Sequence, residues 1–229
     1  MTSDTRETQH ARLAAKLGDK SLAAKLLAPN LAAKLLAPNL AYLSLGSNIE
    51  PEQNLPAAVS QLAQFGRVRA VSVVWETPPV GFSDQPNFLN AAVLLETHLS
   101  AQALREETIA AIEAALGRVR TENKNGPRTI DIDIMLFNHD IIQLERRRIP
   151  DPGVLERSFV AIPLAEISPD YVHPETGQTL KDIAGQFDTT SAGMNRRDDV
   201  RLVHLDVNKP IATQHPERVE GCESAQTRR

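Results

Sequence analysis

The sequence has little of several features that mark common classes of protein. Only one of its 229 residues is a cysteine, Cys222, so the chain can form neither an internal disulfide nor a cluster of thiolate metal ligands. No uninterrupted apolar run approaches the roughly 18 residues of a membrane span. The formal net charge of -4 offers no general attraction to nucleic acid or to an anionic membrane. We therefore expect a cytoplasmic monomer whose partners are small molecules, with neither nucleic acid nor a membrane among them.

Several catalytic motifs are also missing. The sequence contains no G-x-x-x-x-G-K-[ST] loop, no G-x-G-x-x-G turn and no H-E-x-x-H helix, which argues against the usual nucleotide-binding folds and the common zinc proteases. None of its serines lies in a nucleophile elbow, so a Ser-His-Asp hydrolase is not indicated.

The amino-terminal segment contains a short tandem repeat. The nine residues "LAAKLLAPN" occupy positions 22–30 and recur unchanged at 31–39. Two copies are too few for a solenoid, and each copy is a run of helix formers that ends at a proline. We interpret residues 1–40 as a leader outside the fold, either a duplicated artificial segment or a docking or targeting segment.

The hydrophobic pattern after residue 40 predicts a strand, a helix, two more strands, a second helix and a fourth strand. Strand periodicity appears in "AYLSLGSN", "VRAVSVVWETPPV" and "PNFLNAAVLLETH", and helical spacing appears after Pro51 and over residues 100–117. The order β-α-β-β-α-β implies an α+β protein whose antiparallel sheet has two helices packed on one face.

Further elements are expected towards the carboxyl end. "DIIQLERRRIPDPG" is typical of a hairpin or loop, and "ERSFVAIPLAEI" of a short helix docked on the domain. We expect the domain to span residues 41–187. The polar tail, residues 188–229, either forms one extra strand at 199–207 or is disordered.

Two aspartates share one face of the strand within "GPRTIDIDIMLF". Alternation places Asp131 and Asp133 together and the apolar residues on the opposite face, which are Ile130, Ile132, Ile134 and Leu136. Neighbouring carboxylates repel each other unless water or a cation compensates them. The pair is therefore either a solvated surface or a metal site.

Cations and carboxylates alternate around this pair. Glu113, Arg118, Arg120 and Arg128 precede Asp131 within about twenty residues. A polyphosphate bridged by Mg²⁺ needs carboxylate oxygens for the metal and guanidinium groups for the remaining phosphate oxygens. Each of these residues could instead form a surface salt bridge.

In order along the chain, five segments resemble the 6-hydroxymethyl-7,8-dihydropterin pyrophosphokinases of the folate pathway: "AYLSLGSN", "ETPPVGFSDQPNFLNAAV", "IEAALGRVR", "NGPRTIDIDIMLF" and "ERSFVAIPLAEI". The resemblance covers residues 41–187. It implies a ferredoxin-like α+β fold and an enzyme that transfers the pyrophosphoryl group of ATP to the hydroxymethyl oxygen of the pterin. It also implies two Mg²⁺ ions bound by Asp131 and Asp133, with AMP and the pterin diphosphate as products.

The same resemblance implies roles for individual residues. Catalytic positions are Arg120, Arg128, Asp131 and Asp133, and the nucleotide positions are Glu113, Arg118, Arg120, Arg128 and Ile134. The pterin positions are Thr77, Pro78, Val80, Phe88, Asn90 and Phe159. Phe88 and Phe159 would enclose the flat heterocycle and Asn90 would bind its polar edge, although either phenylalanine could equally be a core residue.

Three positions depart from the family pattern and put the affinity for ATP in question. Asp151 stands where a histidine is common, Asn125 where some members have tryptophan, and Ala110 where some have glutamine. Other interpretations stay open: a glycosyltransferase with an Asp-x-Asp metal site, a non-catalytic ferredoxin-like module that binds single-stranded nucleic acid, and a degenerate family member that binds pterin without turnover.

Overall fold

A computed structural model of the chain describes residues 37–119, 125–144 and 147–202. The strands are β1 (Asn39–Ser47), β2 (Arg67–Val71), β3 (Val74–Thr77), β4 (Phe88–Thr97), β5 (Asp131–Phe137), β6 (Ile142–Leu144), β7 (Arg147–Ile149) and β8 (Asn195–Arg197). The helices are α1 (Pro51–Leu62), α2, which combines Ala101–Ala103, a π-helical segment Leu104–Ile109 and Ala110–Ala115, then α3 (Gly153–Glu156), α4 (Ser158–Ile167) and α5 (Leu180–Ala184).

The sheet is antiparallel and contains six strands. Five follow the order β5-β1-β4-β3-β8, and β2 also pairs with β4. The predicted α+β class and the ferredoxin-like arrangement are confirmed, and the expected hairpin forms as β6 and β7, which pair only with each other. Because β5 lies at one edge, its aspartates can be reached both from the sheet face and from around that edge.

Local sequence explains the two predicted helices. Pro51 begins α1, where its fixed φ and missing N–H suit the first turn. The hydroxyl of Ser100 accepts the N–H of Ala103 at 3.2 Å and caps α2. Both helices bury their apolar stripes against the sheet, α1 through Leu55, Ala58, Val59 and Leu62 and α2 through Leu104, Ile109 and Ile112.

Helices cover both faces of the sheet. The two predicted helices, α1 and α2, share one face as expected, and α4, predicted only as docked on the domain, lies with α5 on the other face. The second face packs against α4 and α5 in a separate core cluster that includes Tyr42, Ala92 and Leu164. The reason is that β1 and β4 contain continuous apolar runs, so both sides of the central strands must be buried.

A β-bulge interrupts the predicted alternation of side chains along β5. Tyr42 pairs with Leu136 and Leu43 pairs with Ile134, which leaves Met135 as an extra residue. Ile130, Ile132 and Ile134 face α1 and α2 as predicted. Leu136 instead joins Met135 in the cluster against α4, because the bulge reverses the direction of the side chains that follow it.

The second predicted strand is divided into β2 and β3. The hydroxyl of Ser72 accepts the N–H of Ala92 at 2.8 Å, and the N–H of Val73 donates to Oε2 of Glu166 at 3.0 Å. These bonds replace regular ladder bonds at the break.

The sheet continues beyond Phe187, the expected end of the domain. Asn195–Arg197 pairs with β3, and Val200 and Leu202 pack into the main core. This strand lies before the position predicted for a strand in the tail, residues 199–207, most of which lie outside the described residues. The leader up to residue 36 also lies outside them. No helix among the described residues has the length and apolar character needed to cross a membrane.

Candidate active site

One end of the sheet carries a cavity of about 660 Å³. The antiparallel register brings Gly46, Asn90 and Asp131 side by side and places Thr77 opposite Phe88. The cavity is lined by nine of the predicted site residues, namely Thr77, Pro78, Val80, Phe88, Asn90, Arg128, Asp131, Asp133 and Phe159. The prediction for Arg120 falls outside the described residues.

Asp131 contacts two arginines. Nη2 of Arg118 lies 3.0 Å from its Oδ1, and Nη1 of Arg128 lies 2.6 Å from its Oδ2. Arg118 follows α2 and also donates to the carbonyl of Ile130 around the open edge of β5. Each oxygen of Asp131 is therefore paired with a different guanidinium group.

Asp133 contacts two further arginines that the sequence did not reveal. Nη1 of Arg105 lies 3.3 Å from its Oδ1, and Arg147 forms an ion pair with the same oxygen. Arg105 lies in the π-helical segment of α2, and Arg147 begins β7. The arginine run within "ERRRIP" was the only sequence signal for Arg147, and Arg105 resembled an ordinary surface residue of a helix.

The Asp133 carboxyl is affected both by its burial and by the charges around it. Burial raises the pKa of the Asp133 carboxyl and the negative charge of Asp131 raises it further, while Arg147 and Arg105 lower it. The side chains of Asp131 and Asp133 are 24% and 23% exposed, so both remain open to the cavity. We call Asp131 and Asp133, together with the arginines that contact them at 105, 118, 128 and 147, the charged end; of these arginines, Arg128 also lines the cavity.

Glu113, on α2, contacts the backbone and one arginine of the charged end. Its side chain is buried, its Oε1 accepts the N–H of Ile132 at 3.1 Å, and its Oε2 lies 3.7 Å from Nε of Arg118. The carboxylate therefore orients the backbone between the two aspartates. Ile134, predicted on the nucleotide side, belongs to the core beneath the pair. Nucleotide contacts by these two residues stay predictions.

The loop before β5 is anchored to the end of β1. Oδ1 of Asn48 accepts the N–H of Arg128 at 2.7 Å, and the hydroxyl of Ser47 donates to the carbonyl of Thr129 at 2.5 Å. The guanidinium carbon of Arg128 lies 5.4 Å from the centre of the Phe88 ring. Arg128 therefore contacts both an aspartate and an aromatic ring of the cavity.

The opposite end of the cavity is built mainly from uncharged side chains. Glu156 and Arg157 also line the cavity, and the guanidinium carbon of Arg157 lies 6.0 Å from the centre of the Phe159 ring. Nδ2 of Asn90 donates to Oγ1 of Thr77 at 2.8 Å, and both side chains are only 5% exposed. A Cβ at Gly46 would lie 3.2 Å from Oδ1 of Asn90, so this glycine leaves room for the amide. We call Thr77, Pro78, Phe88, Asn90 and Phe159 the aromatic end. Val80 lies at its rim and is largely exposed.

The three departures from the family pattern have distinct environments. Oδ1 of Asp151 accepts the N–H of Gly153 at 2.8 Å at the start of α3, so a local bond engages the carboxylate. Asn125 lines the cavity, and its carbonyl accepts Nε2 of Gln85 at 2.7 Å, which joins the two loops beside the cavity. Ala110 is exposed on α2.

The cavity has the donor set that a magnesium-bound polyphosphate requires. Mg²⁺ is commonly held by one or two carboxylates together with water and substrate phosphates. The described residues contain no group of three or more His, Cys, Asp or Glu side chains arranged to hold a metal. Two aspartates beside four arginines therefore suit a metal that arrives with phosphate ligands better than a metal bound by protein groups alone.

Comparisons with known proteins agree with this chemistry. The family model of 7,8-dihydro-6-hydroxymethylpterin-pyrophosphokinase (HPPK) matches residues 42–169. A Methylorubrum extorquens protein named 2-amino-4-hydroxy-6-hydroxymethyldihydropteridine pyrophosphokinase is 45% identical over 150 residues, covering 64% of this chain and 92% of its own length. The protein of the same name in Bacillus subtilis is 48% identical over 129 residues, covering 55% of this chain and 76% of its own.

More distant likenesses involve longer proteins. The folic acid synthesis protein fol1 of Schizosaccharomyces pombe is 41% identical over 144 residues, which cover 62% of this chain and 19% of that protein. The crystal structure of Plasmodium falciparum HPPK-DHPS superposes with a TM-score of 0.52 at 16% identity, covering 65% of this chain and 44% of that one. This structural likeness supports the fold. The extent of the family match shows that the chain belongs to the 7,8-dihydro-6-hydroxymethylpterin-pyrophosphokinase family.

Proposed function

We propose that the protein transfers the β,γ-pyrophosphoryl group of ATP to the hydroxymethyl oxygen of 6-hydroxymethyl-7,8-dihydropterin. In this reaction the pterin oxygen forms a bond to the β-phosphorus, the bond between that phosphorus and the oxygen bridging to the α-phosphorus breaks, and AMP leaves. The hydroxyl proton passes to solvent. The observation that carries the proposal is that one cavity joins the charged end to the aromatic end in a chain of this family.

Asp131 and Asp133 are proposed to hold two Mg²⁺ ions. Bound magnesium would neutralise phosphate charge and orient the triphosphate for in-line attack. In the free protein Arg147 and Arg105 partly offset the burial and the repulsion by Asp131 that raise the pKa of Asp133, a role that a bound cation could take over. The two carboxylates open into the cavity beside arginines that can contact the remaining phosphate oxygens.

The arginines are proposed to exchange partners when the nucleotide binds. In the free protein the guanidinium groups of Arg118 and Arg128 contact Asp131. If the metal takes over the aspartate oxygens, these groups become available for phosphate oxygens whose charge grows in the transition state. Arg120, which the family resemblance places among the catalytic residues, is proposed to act with them.

The aromatic end is proposed to bind the pterin. Phe88 and Phe159 would lie against the ring faces, and Asn90 and the backbone at Thr77 to Val80 would bind the polar edge. The contact between Arg128 and Phe88 connects this end with the phosphate end. Holding the hydroxymethyl group towards the charged end would supply much of the acceleration through proximity and orientation.

Two loops are proposed to close over the substrates, at residues 81–86 and 123–127. Gln85 already connects their described parts through its bond to Asn125. Slower amide hydrogen exchange at residues 81–86 with both ligands bound would support this closure, and unchanged exchange would argue against it. A cytoplasmic location and a monomeric state remain proposals.

The proposal is tested by measuring AMP formation from ATP and Mg²⁺ with and without the pterin. Pterin-dependent AMP, formed together with an equal amount of pterin diphosphate, is the expected result. AMP that appears equally without pterin would contradict the assignment. Pterin binding with no AMP would favour the degenerate, non-catalytic member of the family.

A further inference from the structure

The cavity has a wall that comes from outside the family match. That match ends at residue 169, yet Phe187 and Ala192 line the same cavity as Thr77 and Phe159. The chain returns to the cavity after α5 and then enters β8. Neither residue belongs to the site that the family resemblance implies.

The turn that presents Ala192 is well ordered by its own hydrogen bonds. The carboxylate of Asp188 accepts the N–H of Thr190 at 3.1 Å, and the N–H and hydroxyl of Ser191 at 3.2 and 2.6 Å. The backbone N–H of Ala192 donates to the carbonyl of Asp188 at 3.0 Å. These bonds fix the backbone on which the Ala192 side chain stands.

The turn is also held against the aromatic end. Gly193 has φ +63°, and a Cβ at this position would lie 3.3 Å from Cδ of Pro78. Glycine therefore allows both the left-handed backbone conformation and the close approach to Pro78. Immediately afterwards, β8 pairs with β3 through Glu76 and Asn195, one residue before Thr77.

Ion pairs made by Arg197 also hold β8 in place. Nη1 of Arg197 lies 3.0 Å from Glu76 and Nη2 lies 3.2 Å from Glu52 of α1. Met194 is buried directly after the turn. The segment is thus tied to the sheet, to α1 and to the core, so a larger side chain at position 192 cannot be relieved simply by moving the turn away.

We propose that Ala192 is a specificity-determining residue that limits the size of the pterin subsite, with Gly193 as the residue that positions it. This proposal rests on the proposed function. The small side chain leaves space beside Pro78 for a bicyclic ring with a short substituent. A larger side chain would project into that space and leave the charged end, on β5, unchanged.

The test compares Ala192→Leu and Ala192→Val with Thr190→Leu, which adds bulk to an exposed position of the same turn. Binding of 6-hydroxymethylpterin is followed by its fluorescence in the presence of Mg²⁺ and a nonhydrolysable ATP analogue. Binding of the analogue with Mg²⁺ is measured separately by calorimetry. Overpacking of this kind is expected to weaken pterin binding about tenfold, which corresponds to about 1.4 kcal/mol.

We expect Ala192→Leu to weaken pterin binding about tenfold, Ala192→Val to weaken it less, and Thr190→Leu to leave it unchanged, with nucleotide binding unchanged in all three. Retained nucleotide binding also shows that each variant is folded. Wild-type pterin affinity in both Ala192 variants would overturn the proposal and leave the proposed function intact. Failure of the unmodified chain to bind pterin would overturn both. If Ala192→Leu does not fold, the pterin affinity of Ala192→Val decides the test.

Discussion

The two ends of the cavity are built in different ways. The charged end relies on ion pairs, with Asp131 and Asp133 each in contact with two arginines. The aromatic end relies on shape and on one buried hydrogen bond between Asn90 and Thr77. The first can exchange its partners when a charged ligand binds, whereas the second is preformed by packing.

This difference suggests that the two ends of the cavity have separate roles. A bound nucleotide and its metal would supply new partners for both the arginines and the aspartates, so neither charge would be left buried without a partner when these ion pairs exchange. A buried amide that lost its partner would cost more than such an exchange. Substitutions at the charged end should therefore alter nucleotide binding and pyrophosphoryl transfer, and substitutions at the aromatic end should alter pterin binding.

The largest effect is expected from the aspartates. Asp131→Asn and Asp133→Asn each remove a carboxylate charge, and losing several kcal/mol of transition-state stabilisation corresponds to about 10³-fold slower transfer. Pterin affinity should stay within about twofold if the two ends act separately. Single-turnover AMP formation and pterin fluorescence would measure the two quantities.

The matched control is Asp170→Asn, an exposed aspartate that does not line the cavity. It should behave as the unmodified protein does. Nearly full transfer by either of the two active-site variants would remove the proposed role of the pair.

A smaller effect on nucleotide binding is expected from a substitution of Arg147, one of the two arginines that the sequence did not reveal. Arg147→Ala removes an ion pair with Asp133, and the loss of one charge-assisted contact to the nucleotide should weaken Mg²⁺-dependent binding of an ATP analogue about tenfold. Calorimetry with Mg²⁺ and with a chelator would measure it.

The neighbouring Arg148 provides the control for that experiment. Its guanidinium group contacts Glu175 at 2.6 Å instead of the acid pair, so Arg148→Ala should leave nucleotide affinity unchanged. Equal losses of nucleotide affinity in Arg147→Ala and Arg148→Ala would show that the total positive charge of the β6–β7 hairpin matters, and not the specific contact of Arg147.

At the aromatic end, Thr77→Val should reduce both pterin affinity and stability. The change removes the acceptor of Asn90 and leaves a buried amide without that bond, which costs about 1–3 kcal/mol. We expect about tenfold weaker pterin binding and unchanged nucleotide binding. Thr176→Val, at an exposed position, is the control. A nucleotide affinity that fell as much as the pterin affinity would contradict the separation of the ends.

The smallest effect concerns a residue remote from both ends. Burial lowers the pKa of His173, which is 1% exposed. Because the unfolded state binds the proton more readily, this contribution to stability is present above about pH 6.5 and is lost as the pH falls towards the lower, folded-state pKa. His173→Gln should flatten the decline in unfolding free energy as the pH falls below about 6.5. An unchanged pH profile would show that His173 does not contribute to it.

The sequence predicted the charged end better than the shape of the cavity around it. Asp131, Arg128 and Arg118 lie close together along the chain, so a local motif brings them together. Arg105 and Arg147 reach the same site only through a π-helical segment and a hairpin, and neither the geometry of that helix nor the hairpin register follows from local periodicity.

The fold shows the same limit. Strand alternation placed Ile130, Ile132 and Ile134 correctly, but the bulge at Met135 reversed Leu136. The position of β8 depends on its pairing with β3, which is a contact between residues far apart in sequence. Such pairings are decided by tertiary packing and not by propensity.

The most direct test of the account is anomalous diffraction from crystals grown with Mn²⁺, a nonhydrolysable ATP analogue and 6-hydroxymethylpterin. Manganese can replace magnesium at oxygen ligands and is visible by its anomalous signal. The account predicts two peaks coordinated by the carboxylates of Asp131 and Asp133, with the pterin hydroxymethyl group directed at the β-phosphate. Bound nucleotide with no metal at either carboxylate would contradict it.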